Sequence, residues 1–436
     1  MKAIKLVFII ALTLCTYSCH EEYLNPSAVT DAEATRTVDG LTSLLNGLQS
    51  KYTIGRASPV YNYVAGGGLT MKSLKVLNPG NTDEAQLEVG GSSVASTNAI
   101  VRNLWEQCNI VRINSNLVLD NLAIVSDAGV KSGLLGGATI FKALALGTLA
   151  SFWEQAPIEV KQNALFKTRN EVLEEAIRLL ESAEAQVAAN PIPASFYVKA
   201  VDGINIPNTL NVLIARYALM IAQYDKAIAA AKKVNLSIKS EFKFNDTNRN
   251  PIFDVAFGNT NVFQPKDLNM GLPESLKPSS ADARIDFYFA SRTSATVSGN
   301  VYFPGKGFFN SNSASIPVYL PGEVSLILAE CYARKEEFTN AKASLDAVLT
   351  KTTDSWGLGA KLTAYSGALT KDAILTEIYR NRCIELYLSG LTLEDSRRFG
   401  RSLETATTLG ERTRNFYPYP ATERDNNPNT PKDPAN

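Results

Sequence analysis

Apolar residues recur at helical spacing along most of this chain, and two long stretches break the rhythm. Residues 36–53 place Leu41, Leu44, Leu45 and Leu48 on one face, which predicts a helix. Residues 99–125 do the same with Ile100, Leu104, Cys108, Val111 and Ile113, uninterrupted by Gly or Pro. An Ala- and Leu-rich segment, 137–157, stops at Pro157. Residues 168–191 start at Thr168, a capping residue type, and continue with acidic first turns. Val172, Ala176, Leu180, Ala183 and Val187 form one face there, and Pro191 ends it. A last helical pattern covers 371–390, before a charged turn and a polar, Pro-rich tail.

Two segments read as helical hairpins. In 208–234, Ala215, Ala222, Tyr224 and Ala227 resemble a tetratricopeptide unit, where small residues admit a close helix crossing and an aromatic fills it. In 322–349, Ala329, Phe338, Ala341 and Leu345 take corresponding places. Tandem repeats of this kind recur at about 34 residues, far closer than Tyr224 and Phe338. The hairpins therefore belong to a larger domain and not to a continuous solenoid.

The interruptions are 54–98 and 240–321, rich in Gly, Ser, Asn and Pro, with aromatics interleaved in the second. They read as loop-rich inserts containing short strands, and loops that long inside a compact domain are often functional. The expected fold class is mainly α: tetratricopeptide-like helix hairpins form a scaffold, in one domain over 36–436.

The N-terminus has a different logic. Lys2 and Lys5 precede "LVFIIALTLC", about half the roughly 20 residues that span a bilayer. A charged start followed by a short apolar core describes an export signal, here 1–18. Tyr17-Ser18-Cys19 resembles the lipobox of bacterial lipoproteins, with Thr16 where Leu is preferred. That resemblance implies lipidation of Cys19 and a polar tether over 19–35. Glu21 and Glu22 resemble the surface-export signal of Bacteroidetes lipoproteins. The plainer alternative is an ordinary signal peptide with a spare cysteine. Two or more acyl chains anchor stably where one does not. No second apolar run reads as membrane-spanning.

Composition narrows the chemistry. Lys and Arg total 43, as do Asp and Glu, so the basic excess that nucleic-acid binding uses is missing. Cys108, Cys331 and Cys383 are far apart in helical contexts and read as small buried hydrophobes. The single histidine, His20, lies in the leader. Ser-His-Asp and Cys-His nucleophile systems and HExxH zinc sites are thereby excluded from the body. No catalytic, metal or cofactor site is expected. A carboxylate pair for glycoside hydrolysis survives by elimination alone.

Residues 378–400, "IYRNRCIELYLSGLTLEDSRRFG", resemble the SusD/RagB family of outer-membrane nutrient-binding lipoproteins. Ile378, Arg382, Glu385, Leu386, Gly390, Asp395, Arg398 and Gly400 match its C-terminal pattern, and Phe399 stands for its Trp. Asn381, Ser389 and Thr392 depart from it, as in a divergent member. "NFYPYPATERDNNPN" is similar to the family's closing segment. Trp105 with Asn116, and the alanine-rich stretch before Pro157, are similar to two of its early helices. Glu385, Asp395, Arg398 and Trp105 are expected to be structural.

The resemblance implies a protein on the outer membrane, facing the exterior, that captures an oligosaccharide or other small nutrient. It would pass this to a TonB-dependent transporter barrel of the SusC type. Sugar rings stack on aromatics while their hydroxyls bond to amides and charged groups. Candidate ligand contacts are therefore Tyr61, Asn62 and Tyr63 in the first insert, Tyr302 and Phe308 in the second, and Trp356. Peptide capture, a protein-only scaffold and a carboxylate-pair glycosidase remain alternatives.

Overall fold

Thr37 opens the scaffold: its hydroxyl accepts the Gly40 N–H, and helix α1 (Val38–Thr53) follows with Leu41, Leu45, Leu48 and Tyr52 buried. In the computed structural model, residues 31–435 are described; the expected export signal, Cys19 and most of the expected tether lie outside them.

The first insert is more helical than its composition predicts. Ser58 accepts the Tyr61 N–H and Pro59 occupies the first turn, starting helix α2 (Pro59–Thr70). Gly66, Gly67 and Gly68 would each weaken an exposed helix by about 1 kcal/mol relative to Ala. Here they permit close packing. A Cβ on Gly66 would come 2.7 Å from the Tyr417 hydroxyl, and one on Gly68 2.6 Å from Leu74. Strand β1 (Leu74–Val76) and helix α3 (Thr82–Val89) complete this insert.

Helices α4 (Ala99–Asp120) and α5 (Ala128–Phe152) form the centre. α5 begins earlier than its sequence suggests, at an Asp127 cap. It packs against α1, α4, α6 (Arg169–Ala189) and α7 (Ile206–Met220). By length and composition α5 could cross a membrane, contrary to the sequence expectation, but 89% of its apolar window is buried inside the protein. It is a core helix, apolar all round because it has neighbours all round. α6 begins with the expected cap, as Thr168 and Glu171 form a reciprocal capping box.

Both hairpins form. α7 pairs with α8 (Tyr224–Ala231), and α9 (Pro321–Arg334) with α10 (Phe338–Leu349). α7 and α8 also pack against α9, so units far apart in sequence are adjacent in space. α11 (Lys371–Glu385) packs on α9 and α10, and short α12 (Thr392–Arg398) follows it.

Among the described residues, eight short strands make four antiparallel ribbons. β2 (Gln155–Pro157) pairs with β3 (Phe166–Thr168), and β6 (Ala295–Val297) with β7 (Asn300–Tyr302). β4 (Glu241–Phe242) pairs with β8 (Ile316–Pro317), closing the neck of the second insert. β1 pairs with β5 (Phe263–Pro265), which brings the two inserts together.

The tail seals the core. Tyr417 bonds to Thr70 at 3.0 Å, and Tyr419 sits edge-on to Trp105. Trp105 is buried and donates to Glu423 at 3.0 Å, while Trp153 donates to the Pro418 carbonyl at 3.0 Å.

Candidate binding surface and inner cavity

The six ligand candidates separate on folding. Tyr61 and Asn62 lie on a buried face of α2, not on a loop, and neither has accessible surface beyond 1%. Tyr61 donates to Glu84 at 3.1 Å, and burial pushes its phenol up. Asn62 donates to the Arg56 and Ser58 carbonyls, bracing the turn that starts α2. Both are structural. Tyr302 is also buried, paired with Ala295 across the β6–β7 ribbon.

Tyr63 and Phe308 do come to one site. They line a partly open cavity of about 80 Å³ between α1, α5, α7, the neck of the second insert and the turn after α11. Tyr63 is half-buried, and its hydroxyl has no hydrogen-bond partner among the described residues. Trp356 stands outside this lining, half-buried, with its ring edge-on to Phe308 at 5.6 Å. The Lys239 ammonium lies 4.6 Å from the Trp356 ring centre.

Sequence reading missed the cavity's polar wall. Arg216 donates from Nε and Nη2 to both Glu323 oxygens, at 2.6 and 2.8 Å, and from Nη2 to the Val318 carbonyl. Burial alone would lower the Arg216 guanidinium, but the Glu323 charge and hydrogen bonds outweigh it and hold the group above its ordinary value. The only local signal was one Arg inside the apolar run "TLNVLIARYALM", whose partner lies over a hundred residues away.

The cavity's size decides its use. Pockets for drug-sized ligands run to roughly 300–1,000 Å³. About 80 Å³ holds a few waters or one small group, and an oligosaccharide does not fit there. Among the described residues, no cluster of His, Cys, Asp and Glu is placed to ligate a metal.

The other candidate is the exposed junction where the inserts meet. Asn78 donates to the Asn261 side chain at 3.0 Å, and Asn81 to the Asn261 carbonyl at 3.2 Å. Asn300 donates to the Leu77 carbonyl at 2.9 Å, fixing the β6–β7 ribbon beside this edge. Asn78, Asn259 and Asn261 are exposed, and Val301 is 53% exposed. Held carboxamides on an open surface present donors and acceptors that suit neutral hydroxyls.

No protein-family model matches the chain, and no curated protein sequence does. Solved structures match along nearly its whole length. A SusD-like carbohydrate-binding protein from Bacteroides vulgatus is 17% identical, covers 92% of this chain and 98% of its own, and superposes with a TM-score of 0.67. A SusD-like protein from Bacteroides fragilis gives 11%, 93%, 98% and 0.68. A SusD homologue from Bacteroides thetaiotaomicron gives 15%, 92%, 98% and 0.67.

The chain has a SusD-like fold.

Within the SusD-like fold, the C-terminal pattern residues are structural, as expected. Arg382 donates to Asp395 at 2.9 Å, and Arg398 reaches Asp395 at 2.6 Å and both Glu330 oxygens at 2.8 and 2.9 Å. Gly390 has φ +79°, and a Cβ there would come 2.4 Å from Tyr63. The motif glycine thus lets Tyr63 lie across the turn that borders the cavity.

Proposed function

We propose that this chain is a divergent SusD-family lipoprotein of the outer membrane, anchored through Cys19. It captures a saccharide without cleaving it and passes it to a SusC-type transporter barrel. The observation that carries this reading is the SusD-like fold, shared over nine-tenths of the chain with structures that include a SusD-like carbohydrate-binding protein. Capture is assigned to the exposed carboxamide edge between the inserts, because the inner cavity is too small for a glycan. A hydrolytic reading finds little support. The deeply buried acids Glu323, Glu330, Glu385 and Asp395 are each engaged in an ion pair with Arg and serve the packing of the core.

Calorimetry with a panel of neutral oligosaccharides tests capture. Binding without release of reducing ends, weakened by Asn78→Ala and Asn261→Ala, supports the reading. Absence of binding across the panel, or product release, overturns it. Cys19→Ala should free the protein from the outer-membrane fraction, and unchanged retention would reject the anchor.

A further inference from the structure

A second cleft, on the far side of α11 from the second insert's Arg284, holds different chemistry. It has a volume of about 270 Å³ and is bordered by Asp372, Leu375, Thr376 and Tyr379, spaced along one face of α11. Opposite stand Arg334 at the end of α9, Arg398 at the end of α12, Phe399 and Arg401.

The charges here do not balance. Arg334, Arg382 and Arg398 share Glu330, while Arg382 and Arg398 also use Asp395. Glu394 serves Arg169, Arg397 and again Arg398, and Arg401 has Glu411. Six guanidiniums therefore divide four carboxylates among themselves. Those four acids lie almost wholly on the buried side, with side-chain exposures of 0–8%. Among the described residues, the only carboxylate on the cleft wall is the exposed Asp372.

Donors are also left over. Arg334 uses Nε on Glu330 and Nη2 on the Arg398 carbonyl, leaving Nη1 without a protein acceptor among the described residues. Arg401 spends Nε and Nη2 on Glu411 and likewise leaves Nη1. Arg382, which is not on the cleft wall, has Nη1 buried without a hydrogen-bond partner among the described residues. The rings hold two of the wall guanidiniums in place: Arg334 lies 5.1 Å from the Phe399 centre, and Arg401 5.1 Å from that of Tyr379. Excess positive charge, unspent donors and a flat ring in one concavity suit a planar or tetrahedral oxyanion on a small organic body.

We propose that this cleft binds the oxyanion of a small ligand, a carboxylate or a sulfate ester, with the ligand's body against Phe399 and Leu375. The site is separate from the insert junction and stands whether or not that junction binds neutral glycans.

Calorimetry with D-galacturonate and with galactose 6-sulfate at low salt tests it, with galactose as the uncharged control. Whichever anion binds names the group; galactose should not bind here. Asp372→Asn removes the one opposing charge at an exposed position and should tighten binding about threefold. Arg401→Gln should weaken it roughly tenfold. Binding by neither anion, or binding indifferent to both variants, overturns the proposal. Because Asp372→Asn has no buried partner to strand, its gain of affinity stays readable even if Arg401→Gln lowers stability. Neutral-oligosaccharide affinity at the junction should not change in either variant, which separates failure here from failure there.

Discussion

Arg284 and Glu385 meet at 3.0 Å with no exposed surface on either side chain, and this contact ties the second insert to the end of α11. Arg284 also holds Asp282 through two hydrogen bonds and donates to Asn381 at 2.8 Å. The departure of Asn381 from the family pattern has its reason here. Asp282 already supplies a second carboxylate, and a glutamate at 381 would bring a third negative charge to one guanidinium. A neutral amide accepts the hydrogen bond without that repulsion.

Arg284→Met should therefore destabilise the protein by about 3–5 kcal/mol, because it strands Asp282 and Glu385 in a buried space. Guanidinium denaturation followed by circular dichroism measures this. A cost below about 1 kcal/mol would mean that Lys351, which also reaches Glu385, neutralises the site alone.

Gly390→Ala combines a positive φ with a contact of 2.4 Å to Tyr63. The expected cost is about 1–3 kcal/mol, from backbone strain and displacement of the tyrosine ring. Tyr63→Ala in the same background should recover part of the loss, since it removes the atoms that clash. Equal losses in the single and double variants would assign the whole effect to the backbone.

Helices with a clean apolar stripe, α1, α4 and α6, were legible because each needs only its own periodicity. α2 was not: three consecutive glycines argue against a helix until Tyr417 and Leu74 are known to press on them. Those contacts join residues far apart in sequence, and no local pattern encodes them. The same gap explains the candidate site. Composition makes Tyr61, Asn62 and Tyr63 loop residues, yet a helix turns the first two inward and only Tyr63 toward the cavity. The Arg216–Glu323 wall and the β1–β5 pairing that joins the inserts are likewise long-range products.

Acid should expose the Glu330 network. Burial alone would raise this carboxyl, but Arg398, Arg382 and Arg334 together hold it down to about 2. A depressed folded value means that its stabilisation is complete above the ordinary value of 4.5 and is lost as pH falls toward about 2. Urea midpoints measured from pH 6 to pH 2.5 should fall through that window. Glu330→Gln should start lower and show a shallower fall, and an identical slope in both proteins would remove Glu330 from the acid response.

The cysteines give a test of core integrity. Cys108, Cys331 and Cys383 are buried and unpaired, with 0%, 0% and 3% exposure. Burial pushes all three thiols up, Cys331 to about 12, so almost no thiolate exists at pH 8. A thiol reagent such as 5,5′-dithiobis(2-nitrobenzoic acid) needs both access and thiolate. Protein starting after Cys19 should therefore react only as fast as it opens, and in 6 M guanidinium chloride it should release three equivalents rapidly. Arg284→Met, which loosens the joint beside Cys383, should speed the native reaction at that residue before the other two. Uniform acceleration at all three would show that the molecule opens as one cooperative unit and that the α11 joint has no independent weakness.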